Sequence, residues 1–259
     1  MPHLCAFQGC GFRSAFKHHA SRWRPLFPRR NELPPFLFFL RPQRILLPVL
    51  CPICGKRKAN RFCPAKGEKI CAVCCGTERE VTIDCPVDCS YLIAAHHYED
   101  EHQREIPADA ALLDITVPSD LLHTHQQLMA ALAFSIAKFS ASHPAATDPD
   151  VLAALQALAE TYKTLTGGIY YERQPDGLTP RELYASLTAF LNQLKQQQAQ
   201  RGHSTLRDAD TFHLLVFLYR MGLLRTNGRP RSRRYIEFLR AQFPEAQDLK
   251  REESRIIVP

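Results

Sequence analysis

From residue 119 to residue 243, apolar side chains recur every three to four positions, the spacing of one face of an α-helix. Leu121, Leu128, Leu132, Ile136 and Phe139 share one face of a helix predicted over 119–140. Asp148 is expected to cap a second helix, with Pro149 at its first position. That helix runs to about residue 165, with Leu152, Leu155, Ala159 and Tyr162 inward and Gly167 and Gly168 ending it. Thr179 and Pro180 repeat the start signal, and Leu183, Leu187, Phe190, Leu191 and Leu194 form the next apolar stripe, which fades into QLKQQQAQRG. Residues 208–221 are apolar on nearly all sides and predict a central helix; 232–243 predict the last one, stopped by Pro244. The apolar run 214–224 is too short to span a membrane and contains Arg220. Tyr170 and Tyr171, near a turn at Pro175, Asp176 and Gly177, are expected to pack onto these helices. Strand signals are nearly absent over 93–259, so this region predicts an α-helical bundle of roughly 150 residues.

The helical pattern stops upstream, where eight cysteines fall within 39 residues: Cys51, Cys54, Cys63, Cys71, Cys74, Cys75, Cys85 and Cys89. The stretch contains two C-x2-C knuckles, Cys51/Cys54 and Cys71/Cys74, each a tight turn that lets two thiolates reach one metal. Eight soft sulfur ligands suffice for two closed four-thiolate zinc sites. Compact clustering with this spacing favours metal over disulfides in a reducing compartment, so a cytoplasmic protein with two Zn2+ per chain is expected. The C-x2-C-x2-C-x3-C run of bacterial ferredoxins is missing. A module of about 40 residues has too small a core to fold alone, and a structural zinc supplies about 10 kcal/mol or more per site. Four thiolates per zinc leave no open position for catalysis.

The simplest pairing joins the two knuckles in one site and leaves Cys63, Cys75, Cys85 and Cys89 for the other, although the spacing itself leaves the partition open. The opening CxxC, the aromatic beside a mid-module cysteine (Phe62, Cys63, Pro64) and the closing Cys85-x3-Cys89 resemble cross-brace zinc fingers of the HIT and MYND type. Lys66 departs from that pattern at the position usually held by a further cysteine, so Cys75 would substitute. The string CPxC…CCGT…CPxDCxYL over 51–92 also resembles a motif of uncharacterised bacterial proteins that carries no known activity. The HIT/MYND likeness implies a treble-clef-like two-zinc module, and contact with protein partners.

Charge changes the picture less than its total suggests. The chain's net charge is +7. Residues 1–50 hold eight Arg/Lys and one Glu, and the remaining 209 residues balance 25 bases against 25 acids. This N-terminal arm, rich in Pro, Arg and Phe, lacks helical or strand periodicity. It is expected to be disordered or to be upstream sequence translated from a misassigned start, with the true start near Leu47 or Val49. N-terminal mass spectrometry that finds peptides from 1–45 would sink the second idea. Cys5, Cys10, His18 and His19 lack the spacing of about twelve residues that a two-cysteine, two-histidine finger places between its Cys and His pairs.

Three domains are therefore expected: the arm 1–50, a cysteine module 51–92 and a helical domain 93–259, mainly α overall. A predicted helix over 91–104 carries His96, His97 and His102 among acids, expected as a solvated face. No nucleophile–base pair, phosphate-cradling glycine loop or paired-carboxylate motif is present, so no catalytic residue is predicted and the protein is expected not to be an enzyme. The primary expectation is an adaptor or scaffold for protein partners. One alternative is nucleic-acid binding through Arg229, Arg231, Arg233 and Arg234, around a Gly-Arg-Pro core like an AT-hook, with Lys56, Arg57, Lys58 and Arg61. Another is a redox-switched regulator built on zinc thiolates. No membrane contact is expected.

Overall fold

The computed structural model describes residues 49–102, 105–202 and 206–244. The expectations for the N-terminal arm, including its start and Cys5, Cys10, His18 and His19, lie outside the described residues except at Val49 and Leu50. The described residues belong to one unit that begins at Leu47.

The cysteine region makes a hairpin of β1 (Arg61–Cys63) and β2 (Glu68–Ile70), paired antiparallel with Phe62 opposite Lys69. Gly67, at φ 68°, turns the chain between them in a conformation that other residues avoid. A short helix, α1 (Ala72–Glu78), follows, and α2 (Ser90–Glu101) leaves directly from the last cysteine.

The rest is helical, as the periodicity predicts. The helix expected over 119–140 is two: α3 (Ser119–Thr124) and α4 (Gln126–Ser142), broken at His125. The apolar pattern gives no sign of this break, where the His125 ring lies 3.5 Å from Asp210 on a distant helix. The longer helices α5 (Asp148–Thr166), α6 (Leu178–Gln200), α7 (Asp208–Arg225) and α8 (Arg234–Gln242) follow. Helices α5 and α7 form the central pair, α6 lies against α5 and α4, and α8 packs mainly on α4. Leu155, Leu158, Leu183, Leu187, Leu191, Leu214, Leu215 and Leu218 are fully buried between them. Burying such side chains stabilises by about 1.5–3 kcal/mol each. Arg220, the one charge in the apolar run of α7, donates to the Leu112 and Ile115 carbonyls and ties down the segment ahead of α3.

Three helix starts differ from expectation. One is that of α6, which begins at Leu178, just ahead of the Thr179-Pro180 pair. Thr147, not Asp148, precedes α5, and the Asp150 carboxylate accepts from its N–H at 2.9 Å and its hydroxyl at 2.7 Å. The last helix begins at Arg234 rather than Ser232, because Ser232 is buried with its hydroxyl on Asp148. Tyr170 and Tyr171 do not pack on the bundle: they are 69% and 64% exposed, in the α5–α6 connection. No helix among the described residues is long and apolar enough to cross a membrane.

Candidate metal centre

Cys51 and Cys54 sit on a knuckle closed by the Gly55 N–H on the Cys51 carbonyl (2.7 Å) and the Cys51 N–H on the Arg57 carbonyl (2.8 Å). Gly55 has φ 62°, where a side chain would strain the turn. The hairpin carries the chain back so that Cys71 arrives at the start of α1. There its sulfur accepts the Cys74 N–H at 3.3 Å, and one helical turn places Cys71 and Cys74 side by side.

The Sγ atoms of Cys51, Cys54, Cys71 and Cys74 all lie within 4.8 Å of one another. Those of Cys54 and Cys71 are 4.0 Å apart. Two sulfurs on one tetrahedral zinc, each with a bond near 2.3 Å, are about 3.8 Å apart. The four thiols therefore fit a single metal ion, and they include both knuckles, as the simplest pairing expects. None of the eight cysteines forms a disulfide.

The electrostatics point the same way. Backbone N–H groups of Lys56 and Arg57 hold the Cys54 thiol down to about 6. Burial, together with hydrogen bonding to Cys71, Cys54 and Cys51, pushes Cys74 up to about 12. Burial also opposes ionisation of Cys51, but backbone donors from Cys71, Cys54 and Ile53 outweigh it and bring its thiol below the ordinary value. Four sulfurs this close cannot all be thiolates without a cation between them, whereas a bound divalent ion deprotonates its thiol ligands outright. The Arg57 guanidinium is held more firmly protonated, first by its hydrogen bond to Cys71 and then by the Cys54 and Cys71 charges. This arginine answers the thiolates locally.

The other four cysteines are gathered more loosely. Cys63, Cys75, Cys85 and Cys89 line one cavity of about 10 Å³, closed by Ile70, Ile83 and Leu92 among others. Burial raises the Cys85 thiol, with the Cys89 and Cys63 charges adding to it. Among the described residues, only the first four cysteines meet within 4.8 Å. Cys75 leaves α1 beside Cys74, so adjacent residues serve the two clusters. Cys89 precedes α2, after a turn closed by its own N–H on the Pro86 carbonyl at 3.0 Å.

The histidines of α2 gather no site. His97 is exposed, and His102 donates to the Tyr98 carbonyl (2.9 Å) and stacks on that ring. His96 is not on a solvated face: it is half-buried, 3.4 Å from Glu80 and 3.9 Å from Glu237.

The segment from Asn227 to Arg234 is not a free basic strip, because its donors grip the cysteine module and α2. Arg229 donates to the carbonyls of Gly76 (3.1 Å) and Arg79 (2.5 Å). The backbone N–H of Arg231 bonds to the Glu80 carbonyl at 2.8 Å. Arg233 holds Asp84 at 2.6 Å, and Arg234 holds the His96 carbonyl, Glu99 and Asp100. Asn227 reaches the buried Glu80 carboxylate at 2.8 Å. Burial works against the Glu80 charge, but His96, Asn227 and Arg229 prevail and keep its carboxyl below the usual range. Glu80 also takes a left-handed φ of 52°, rare for a side chain that is not glycine. Sequence patterning gives no hint of Glu80 or Asp84, since neither lies in a motif; only the Asn227-Gly228 pair marks a turn.

No protein-family model matches this chain, and neither a curated protein nor a solved structure matches it.

Proposed function

We propose that this protein is a zinc-binding, non-enzymatic scaffold of the adaptor kind, in which a two-zinc, treble-clef-like module is clamped to a helical bundle. The observation that carries it is the convergence of Cys51, Cys54, Cys71 and Cys74 around a volume suited to one four-thiolate ion. A soft donor set of sulfurs alone favours zinc over magnesium or calcium. The second zinc takes Cys63, Cys75, Cys85 and Cys89, which share one closed cavity. With four thiolates on each ion, no ligand position remains for water or substrate, and the metals serve the fold. The HIT/MYND likeness and the exposed Ile169, Tyr170, Tyr171 and Leu178 on the bundle support a protein partner.

Metal analysis of the purified full chain tests this. Two zinc ions per chain are expected. Because the two ligand sets interleave along the chain, Cys63→Ser is expected to lower the content of both sites. A stoichiometry of zero, or bound iron in place of zinc, would refute the proposal.

A further inference from the structure

Two of the five acids of the cysteine module are taken up by contacts outside it. Glu80 and Asp84 are held by His96, Asn227 and Arg233, on the side facing the bundle. Lys56, Lys58, Lys66 and Lys69 are all exposed and make no ion pair among the described residues. Between residues 56 and 69 the sequence holds six bases against Glu68 alone. One of those bases, Arg57, is committed to the thiolates. Another, Arg61, lies 4.7 Å above the Tyr91 ring. The module's near balance of charge therefore conceals a positive outer face.

That face also carries an aromatic ring. Along 58–63 burial alternates: Ala59 and Cys63 are buried, whereas Lys58, Asn60 and Phe62 are exposed. Phe62 is 55% exposed and stands directly opposite Lys69 across the hairpin. Lys58, Asn60 and Lys69 surround it on this face, beside exposed Leu50, Pro64 and Ala65, so the face is mixed in character, and its lysines set it apart from a purely hydrophobic protein interface. An acidic peptide would neutralise the lysines and leave the ring unused. An unstacked nucleobase uses both, because its flat face stacks on the ring while its phosphates meet the lysines. The hairpin is only three residues per strand. A two-stranded ribbon can enter a duplex major groove, but a ring that stacks on a base face needs that base unpaired, so the exposed Phe62 selects single strands.

We infer that the outer face of the β1–β2 hairpin binds single-stranded nucleic acid, with a base stacked on Phe62 and phosphates on Lys58, Lys66 and Lys69. This goes beyond the scaffold reading and relies on it only for a metal-folded module. The test uses the full chain, loaded with zinc. Fluorescence anisotropy follows labelled oligouridylate and oligodeoxythymidylate of about 12 nucleotides, a duplex of equal length, and an oligoglutamate peptide. Both single strands are expected to bind at about 50 mM salt, more tightly than the duplex. Three phosphate contacts give a log–log salt slope of about −2. Phe62→Ala is expected to weaken binding about tenfold while Phe62→Trp retains it. The charge-reversed pair Lys58→Glu, Lys69→Glu is expected to abolish binding and does not depend on how the Phe62 variant folds. The inference is overturned by absence of single-strand binding at low salt, by affinity indifferent to Phe62→Ala, or by oligoglutamate binding as tightly as the oligonucleotides. Zinc content, measured on the same samples, reports on the scaffold reading separately.

Discussion

Asp148 is a fully buried carboxyl with four hydrogen-bond donors around it: the Ser232 hydroxyl at 2.7 Å, the Tyr235 N–H at 3.1 Å to both oxygens, and the Ile236 N–H at 3.1 Å, with Thr226 contributing as well. It lies at the start of α5 in sequence but caps α8 in space. Burial raises its carboxyl above the usual range, and these donors lower it only in part. A carboxyl raised in the folded state favours folding while protonated, and that contribution is lost as pH rises through its folded value. Asp148→Asn keeps the shape without the charge. The stability of wild type relative to this variant is expected to fall as pH increases from the ordinary carboxylate range to neutrality, measured by denaturant unfolding at several pH values. A difference independent of pH would show that the charge contributes nothing. Asp148→Ala removes the acceptor altogether and is expected to cost about 2–3 kcal/mol at the acid end of this range, because the α8 N–H groups stay buried without a partner.

At the scale of elements, the apolar stripes of α5, α6 and α7 were legible because burial of one helix face imposes its own period on the sequence. Leu183, Leu187 and Leu191 are each fully buried, as their spacing predicts. The two C-x2-C pairs were legible for a similar reason, since a metal constrains spacing locally. Interactions between segments distant in sequence left no period to read. Whereas the start of α6 at Leu178 is local, preceded by Gly177 at φ 92°, the Asp148 cap on α8 and the His125 contact with Asp210 are of this kind. Gly222 shows it most sharply, as it sits inside α7 where propensity alone disfavours glycine. A Cβ there would come within 2.7 Å of Leu152 and 2.8 Å of the Tyr235 ring. Leu152 can swing aside, but Tyr235 is fully buried and its hydroxyl donates to the Leu218 carbonyl at 3.0 Å. Gly222→Ala is therefore expected to destabilise by about 1–3 kcal/mol despite alanine's better helix propensity. Thermal unfolding measures this, and an unchanged or raised midpoint would mean that the α7–α8 contact yields.

At the scale of the whole molecule, the loop between Cys75 and Cys85 is where the metal chemistry and the bundle meet. Its two ends are proposed zinc ligands, and its middle is gripped by Arg229, by the Arg231 backbone and by Asn227. Removing the metal frees the ends of this loop, so the Glu80 carbonyl loses the fixed position that the Arg231 N–H requires. The bundle's own core, centred on α5 and α7, shares no side chain with the cysteine cluster. Hydrogen exchange on the full chain separates these two parts. With metal bound, the Arg231 amide is expected to be protected; on chelation it exchanges faster, along with α1, while α5 and α7 keep their protection. Arg229→Ala with Asn227→Ala is expected to reproduce the loss at Arg231 with zinc content unchanged, since no ligand is touched. Equal loss across α5 and α7 on chelation would instead show that the module and the bundle unfold as one cooperative body.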